Sequence, residues 1–297
     1  MERFIRTDLA VEARESLKNG DFSGSLPDGV DYTCREEDGL RIERITVSDK
    51  SASEQLCKPM GTYSTITPDA LFDRAHNAFP RTAHAIAQEL SDMLPGEGPV
   101  LVAGLGNECI TPDALGPWCL RHVLVTRHLR RQLPEQFGAF RPVAAVAAGV
   151  TGTTGLESAE LVRAVCRAIS PAAVIAVDAL AARDSSRLCR TVQLASSGIS
   201  PGSGVGNRRV RLDRATLGIP VIAVGVPTVV DAATLAADLA ARAGTPLPDD
   251  APLPHGLVVT PRDIDQSVRE TARLIGVSID LALHPYLALE DIEMMLA

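Results

Sequence analysis

Residues 99–117 read PVLVAGLGNECITPDALGP. The stretch begins with a short apolar run, Pro99 to Gly104, which ends in glycine and leads into a segment with helical spacing. An apolar run of this length, bounded by turn residues, is typical of a fully buried strand. The stretch therefore predicts a unit of strand, loop and helix.

The same unit recurs toward the carboxyl terminus. The further copies give predicted strands at Val143 to Ala147, Ala173 to Val177, Pro220 to Val224 and Gly256 to Thr260, and predicted helices at 156–169, 231–243 and 261–275. Strands that alternate with helices of this length form right-handed crossovers. The sequence therefore predicts an α/β fold, a mainly parallel sheet with helices on both faces, whose ligand chemistry lies at the carboxyl ends of the strands.

The first 65 residues follow a different pattern. Polar turns occur at Asn19-Gly20 and at Pro27 to Gly29, and apolar and polar residues alternate from Leu40 to Ile45. Alternation of this kind is typical of a strand that faces solvent on one side. We expect this region to add antiparallel strands to the main fold.

Between the two regions, Asp69 to Leu94 has apolar residues at helical spacing. Pro80 interrupts the pattern, and a kink or break is expected there because proline removes a backbone donor and clashes with the preceding turn. No long linker separates the regions. We therefore expect one domain, with an N-terminal elaboration over residues 9–95 and an α/β core over 96–297.

Composition and charge exclude several classes of function. Of the 297 residues, 45% are apolar, which is enough for one large core, and six cysteines without a CxxC pair favour reduced thiols. The formal net charge of -8 leaves no basic stripe, so nucleic acid is not expected as a direct ligand. No apolar stretch approaches the roughly 20 residues of a membrane span. Because Met1 to Ala13 is too charged for a secretory signal, we expect a cytoplasmic protein.

Two aspartates lie at predicted strand ends. Asp113 lies where the chain turns from the first strand into a helix, and Asp178 closes the apolar strand Val174 to Val177. The carboxyl ends of neighbouring parallel strands meet at one edge of a sheet, so the two carboxylates are expected to converge. Two nearby carboxylates tend to share a proton, which leaves one as a base toward water and the other as an acid. The sequence does not divide these roles between them.

Both aspartates also have a structural interpretation. Asp113 is suited to cap the following helix, and a helix N-terminus also stabilises the ionised form of an aspartate that faces substrate. A buried Asp178 needs hydrogen bonds or a cation, which Arg183 or backbone amides are placed to supply. From the sequence these alternatives stay open.

Two glycine-rich loops flank the same edge, Gly149 to Gly155 and Gly198 to Asn207. Neither has the Lys-Ser/Thr ending of a phosphate-binding loop, so close approach to a peptide backbone is an equal alternative. Gly104 to Cys109 matches a dinucleotide fingerprint poorly because cysteine holds the third glycine position. Ser203, in Gly202-Ser203-Gly204, does not lie in the G-x-S-x-G pattern of a hydrolase elbow, and no HExxH pattern occurs.

Six motifs resemble those of the spore germination protease family, in the family's order. They are RTDLAVEAR at 6–14, GLGNECITPDALGP at 104–117, GVTGTTGLE at 149–157, VDALAAR at 177–183, GISPGSGVGN at 198–207 and GVPTVVD at 225–231. The resemblance implies an endopeptidase that degrades small acid-soluble spore proteins at germination. It also implies a location in the cytoplasm of the developing spore and in the spore core.

The resemblance further implies a zymogen that removes its own propeptide. Thr7 to Ala10 matches the family's cleavage pattern, which implies cleavage between Asp8 and Leu9. The propeptide is then residues 1–8 and the peptidase domain residues 9–297. A homotetramer is implied as well.

For the site, the resemblance implies Asp113 and Asp178 as the catalytic pair of an atypical aspartic peptidase without a cofactor. The loops of the substrate cleft are then represented by Gly104, Gly106, Asn107, Gly149, Gly152, Gly155, Gly202 and Gly204. The family is similar in its phosphorylase/hydrolase-like fold to hydrogenase maturation endopeptidases, which hold a metal between two carboxylates and a histidine. No histidine of this sequence matches that third position, so no metal is expected. A metal-dependent maturation-type peptidase and a non-catalytic protein that binds a peptide or nucleotide remain the alternatives.

Overall fold

The computed structural model of the protein describes residues 6–18, 26–68, 78–202, 209–245, 247–248, 251 and 256–297. Its strands are β1 (Val30–Glu37), β2 (Leu40–Val47), β3 (Gly61–Pro68), β4 (Val100–Leu105), β5 (Val143–Gly149), β6 (Ala173–Ala182), β7 (Val192–Ala195), β8 (Val221–Asp231) and β9 (Val258–Val259).

The helices are α1 (Ala10–Lys18), α2 (Lys50–Leu56), α3 (Ala78–Met93), α4 (Leu115–Cys119), α5 (Arg127–Gln132), α6 (Pro134–Phe137), α7 (Thr151–Thr154), α8 (Ser158–Ile169), α9 (Arg214–Leu217), α10 (Ala232–Arg242), α11 (Ile264–Leu283) and α12 (Leu289–Leu296). Short 3-10 turns cover Thr111–Asp113, Leu120–His122 and Ser185–Arg187. No helix in the described part of the chain is long and apolar enough to cross a lipid bilayer.

The strands belong to one sheet. Its order is β1-β2-β3-β7-β8-β6-β4-β5, and β9 pairs with the end of β8. The pairs β5/β4, β4/β6 and β6/β8 are parallel, as the repeated units predict. The pairs that lead from β1 through β7 to β8 are antiparallel. The predicted α/β fold with an antiparallel N-terminal elaboration is confirmed, and the two parts share a continuous sheet.

Helices cover both faces of the sheet because side chains alternate along each buried strand. On β6, Ile175 and Val177 pack into a core with residues of α3, α4 and α11. Val174 and Ala176 pack into a second core with residues of α1 and α8. All four residues are fully buried, which is the burial expected of a central parallel strand.

Three predicted strand boundaries are wrong, and one of them is the end of β8, which lies at Asp231 and not at Val224. The run Gly256 to Thr260 is not a parallel copy of the unit, because β9 is two residues long, exposed and antiparallel to β8. The helix that follows it, α11, extends well beyond the predicted 261–275. An apolar run can face solvent, so its composition alone does not signal burial. β6 does not end at Asp178 either, but continues to Ala182 beside β8.

The helix predicted over Asp69 to Leu94 is described from Ala78, as α3 (Ala78–Met93). Pro80 is the third residue of the described helix, which continues past it without a break. Residues 69–77 of the prediction lie outside the described residues. The pattern also does not predict β7, since four residues with Gln193 among them carry little periodic signal.

α4 approaches the sheet closely at Gly116. A Cβ atom built on Gly116 would lie 2.3 Å from the carbonyl oxygen of Leu105 and 2.5 Å from that of Val177. Both contacts are with backbone in a close-packed interior, which has little freedom to move away. The missing side chain therefore lets the turn before α4, which carries Asp113, lie beside the strand that carries Asp178.

We expect Gly116→Ala to lower the free energy of unfolding by about 1–3 kcal/mol, the usual cost of adding a methyl group where packing leaves no room. Urea denaturation followed by circular dichroism measures the change. Gly96→Ala is the matched control because a Cβ there meets no atom within 4 Å, and it should change the value by at most about 0.5 kcal/mol. Equal free energies of unfolding for Gly116→Ala and Gly96→Ala would contradict the close approach of α4 to the sheet.

Candidate active site

A cavity of about 370 Å³ lies at the carboxyl ends of β4 and β6. Its lining includes both predicted carboxylates, Asp113 and Asp178, together with Arg209 and with Asp8 of the N-terminal segment. The structure thus brings the two aspartates to one cavity, at the edge where parallel strands present ligand sites.

Asp178 reaches the cavity because β6 is longer than its neighbour. β4 pairs with β6 only up to the residue before Asp178, whereas β8 continues beside it with Gly225 opposite Asp178. Asp178 is 4% exposed, and its Oδ1 accepts a hydrogen bond from the Ala179 amide at 3.0 Å. Burial first, and then the charges of Asp113 and Asp8, raise the pKa of Asp178 well above its usual value.

Arg183 is not the partner of Asp178, although the structural interpretation of Asp178 allows that pairing. Its guanidinium lies 3.6 Å from the carboxylate of Glu15 and 3.7 Å from that of Asp238. That part of the interpretation is wrong, because the chain turns after β6 and carries Arg183 toward α1 and α10. The hydrogen bond to Asp178 comes from a backbone amide.

Asp113 is held by a tight turn after β4. Gly106 has a φ of +102°, and a Cβ there would lie 2.0 Å from the carbonyl oxygen of Asp113, so the turn requires glycine. The turn directs the Asn107 amide to Asp113 Oδ2 at 2.7 Å. α4 begins at Leu115, after Ala114 and without a side-chain cap. The interpretation of Asp113 as the N-cap of that helix is therefore wrong.

The two carboxyl groups have the environment of a coupled acid and base. Burial raises the pKa of Asp113, while the Asn107 amide and the charge of Arg209 act against that rise. The pKa of Asp178 is raised more strongly than that of Asp113. One ionised and one protonated carboxyl in the same cavity can deprotonate water on one side and donate a proton on the other.

The segment Arg6 to Leu9 crosses the same edge of the sheet. Asp8 donates its amide to the Ala181 carbonyl oxygen at 2.9 Å, and its Oδ2 accepts the Ala181 amide at 2.9 Å. The Arg6 amide donates to the hydroxyl of Thr234, in the first turn of α10, at 3.2 Å. The residue that precedes Leu9 therefore lines the cavity that holds the two aspartates.

The residues from Leu9 onward have their own anchors. Leu9 to Val11 are fully buried. The Glu12 carboxylate accepts the amides of Arg183 and Asp184 at 2.7 and 2.9 Å, and lies 3.4 Å from the guanidinium of Arg187. The bond between Asp8 and Leu9 thus joins two pieces of chain that are both anchored to the fold.

The glycines predicted to represent the cleft loops differ in position. Gly106 and Gly202 line the cavity. Gly104 lies behind it, where a Cβ would be 2.6 Å from the carbonyl oxygen of Gly116, so the packing of α4 explains this glycine. Gly204 lies outside the described residues.

The loop after β5 forms the short helix α7, flanked by Gly149 and Gly155 with φ of +64° and +71°. Val150 of this loop lines the cavity. A Cβ on Gly152 or Gly155 would meet no atom within 4 Å. Backbone conformation therefore explains the two flanking glycines, and Gly152 lies on the open side of the loop.

Two charged groups of the cavity are not predicted from the sequence. Arg209 lowers the pKa of both aspartates against the effect of burial, yet a single arginine after a glycine-rich loop has no recognisable spacing. The carboxylate of Asp8 joins the cavity through the fold of the N-terminus. Among the described residues, no group of three His, Cys, Asp or Glu side chains is arranged to hold a metal ion.

Comparisons with known proteins identify relatives along the whole chain. A family model described as "Germination protease" matches residues 7–241. The chain is 39% identical over 322 residues to a germination protease of Caldanaerobacter subterraneus subsp. tengcongensis, with 98% of each chain covered. It is 37% identical to that of Clostridium acetobutylicum, with 97% of this chain and 98% of the relative covered, and 35% identical to that of Bacillus cytotoxicus, with 94% of each covered.

Among solved structures, the chain is similar to a [NiFe] hydrogenase maturation protease, HycI from Thermococcus kodakarensis KOD1. The TM-score is 0.35 at 17% identity, and the match covers 64% of this chain and 98% of that chain.

We expect Asp178→Asn to raise the free energy of unfolding at pH 7. A carboxyl whose pKa is raised by folding contributes stability at pH values below its unfolded pKa, and this contribution is lost as the pH rises through its folded pKa. Asparagine does not ionise and keeps an acceptor for the Ala179 amide. It therefore avoids a loss of folding stability of about 1.4 kcal/mol for each unit by which the pKa is raised. The gain should shrink as the pH falls toward about 3.9, the ordinary pKa of aspartate.

Urea denaturation of the uncleaved chain between pH 4 and pH 8 measures this difference. The control is Asp31→Asn, which changes an exposed aspartate on β1 and should show no such gain with pH. A loss of stability at pH 7 in Asp178→Asn would mean that the ionised carboxylate stabilises the fold, contrary to the expected sign.

Proposed function

Since the chain belongs to the germination protease family, we propose that it is an endopeptidase that cuts small acid-soluble spore proteins during spore germination and first cuts its own chain between Asp8 and Leu9. The observation that carries the proposal is the position of Asp8. It is bonded to Ala181 and lines the cavity that holds Asp113 and Asp178. A peptidase that holds its own chain beside a carboxylate pair is arranged as it would be with a bound substrate.

The environments of the two aspartates divide their roles. Asp178 is the more deeply enclosed, and burial raises its pKa further than that of Asp113, so Asp178 is the member of the pair that holds the shared proton. Burial also raises the pKa of Asp113, but the Asn107 amide and Arg209 favour its ionised form. Asp113 is therefore the base toward water and Asp178 the acid toward the leaving nitrogen.

Hydrolysis takes two steps. Asp113 removes a proton from water as the water oxygen bonds to the Asp8 carbonyl carbon, and the electron pair of the C=O double bond moves onto the carbonyl oxygen. When that pair returns, the bond to the Leu9 nitrogen breaks, and the nitrogen takes the proton of Asp178. The products are a carboxyl group on Asp8 and an amino group on Leu9, and the aspartate pair again shares one proton.

The same arrangement supports synthesis as a zymogen. Asp8 lines the cavity, and Arg6 and Thr7 line the larger cleft beside it, so the attached segment lies where a protein substrate would bind. After cleavage, the hydrogen bonds of Glu12 with the Arg183 and Asp184 amides retain the new N-terminus, whereas residues 1–8 are no longer covalently attached and can dissociate. The homotetramer that the resemblance implies stays a prediction, which sedimentation analysis would test.

We expect both Asp113→Asn and Asp178→Asn to cut at least about 100-fold more slowly than the unchanged chain, since loss of a general acid or base costs about 10²–10⁴-fold. Asparagine keeps the shape of the side chain but does not exchange a proton. Each purified chain is incubated alone and then with a small acid-soluble spore protein, and mass spectrometry follows both polypeptides. The unchanged chain should release residues 1–8 and then cleave the substrate.

Asp31→Asn serves here as the control with an unchanged rate, because its side chain lies on β1, outside the cavity. A chelator added to the unchanged chain should leave its rate unaltered, and a loss of activity there would favour the metal-dependent alternative. Full activity in Asp113→Asn or Asp178→Asn would mean that the substituted aspartate has a structural and not a catalytic role. Binding without any cleavage by the unchanged chain would favour a non-catalytic protein.

A further inference from the structure

Lys58 lies just beyond the carboxyl end of α2 and turns toward the sheet. Cys57 ends the helix in the left-handed conformation, with φ of +53°, and the chain then directs Lys58 inward. Its Nζ donates hydrogen bonds to the carbonyl oxygens of Thr7 at 3.0 Å and Asp8 at 2.9 Å. Burial lowers the pKa of Lys58, against the charges of Asp8 and Glu12. Lys58 is half-buried and lines the larger cleft, and a lysine with a perturbed pKa in a cleft is typical of functional sites.

Gln193 on β7 provides a second donor to the same oxygen. Its Nε2 donates to the Asp8 carbonyl oxygen at 3.1 Å, and its Oε1 accepts the Ala10 amide at 2.6 Å. The second contact fixes which way the amide group faces, so the donor points at Asp8. The carbonyl oxygen that precedes Leu9 therefore receives two side-chain hydrogen bonds from two different elements.

Lys58 and Gln193 line the larger cleft, the carboxylate pair lines the smaller cavity, and Asp8 lines both. Gln193 pairs with Gly225 of β8, and Gly225 pairs with Asp178 of β6, so the three residues form one row across the sheet. The side chains of paired residues point to the same face of the sheet. The Cα atoms of Gln193 and Asp178 are two strand spacings apart, which is about 10 Å. Asp8 bonds to β6 through Ala181 and to β7 through Gln193, and thus bridges β8.

We propose that Lys58 and Gln193 are further catalytic residues, which bind the oxyanion that forms on the carbonyl oxygen of the cleaved bond. This inference rests on the proposed cleavage between Asp8 and Leu9. When water adds to the Asp8 carbonyl carbon, the C=O electron pair moves onto the oxygen that Lys58 Nζ and Gln193 Nε2 already contact. The pair returns as the bond to the Leu9 nitrogen breaks, and neither residue gains or loses a proton.

The chemistry of the two donors suits that role. Hydrogen bonds strengthen when the acceptor becomes an anion, and a cationic donor adds Coulombic attraction. Donors that are already in place when the charge develops need no reorganisation, and loss of one donor of this kind costs about 10²–10³ in rate. Once residues 1–8 leave, the same two donors face the cleft and meet the corresponding carbonyl of a protein substrate.

The test is the first-order rate at which the full chain gains Leu9 as its N-terminus, followed by mass spectrometry. We expect Lys58→Met to be about 100-fold slower or more. Lys58→Arg keeps the positive charge and should recover part of the rate. Gln193→Glu keeps an acceptor for the Ala10 amide but loses the donor, and should also be slow. Lys50→Met is the matched control because Lys50 lies on α2 with 88% of its side chain exposed, and its rate should be unchanged.

A second readout separates catalysis from simple anchoring of the segment. In the Asp178→Asn background, which keeps residues 1–8 attached, hydrogen exchange reports on the Asp8 and Ala181 amides, which form the contacts between them. Their protection should be the same whether or not the chain also carries Lys58→Met. If Lys58→Met lowered both the cleavage rate and the protection of these amides, the catalytic role would be overturned, and Lys58 would instead anchor the segment.

The remaining outcomes separate this inference from the function on which it rests. An unchanged chain that cleaves neither itself nor a spore protein contradicts the proposed function, and the role of Lys58 with it. An unchanged chain that cleaves while Lys58→Met cleaves at the same rate contradicts the role of Lys58 alone.

Discussion

The two hydrogen bonds between Asp8 and Ala181 are the interaction on which the arrangement of the site depends. They hold the N-terminal segment against the part of β6 that lies beyond the end of β4. A strand edge left without a neighbour presents backbone donors and acceptors that need partners. Here a peptide segment of the same chain supplies them, so the edge that attracts a peptide is the edge that carries Asp178.

The mixed sheet explains why groups of different chemistry meet at this edge. The parallel part supplies the carboxylates, because β4 ends early and β6 continues past it. The antiparallel part supplies Gln193 through β7, which is paired with β3 of the N-terminal elaboration. That elaboration also carries Lys58 after α2. The N-terminal region is thus joined to the site as well as to the sheet.

The sequence predicts the parts of the site that follow from regular structure and misses those that depend on tertiary contacts. Buried apolar runs locate the parallel strands, and strand ends bring Asp113 and Asp178 to one edge. The cap expected for Asp113 is absent because the Gly106 turn gives its carboxylate another amide. Lys58 and Gln193 have no motif, since only the docking of the N-terminal segment brings them to one carbonyl oxygen.

The concentration dependence of self-cleavage tests most directly whether the chain cuts the bond that it holds. The initial first-order rate constant should stay the same over a wide range of dilution, and an Asp178→Asn chain mixed in should remain uncut during that phase. A rate constant that rises in proportion to protein concentration would contradict cleavage within the chain. It would mean that the segment bound to β6 is released before another molecule cuts it.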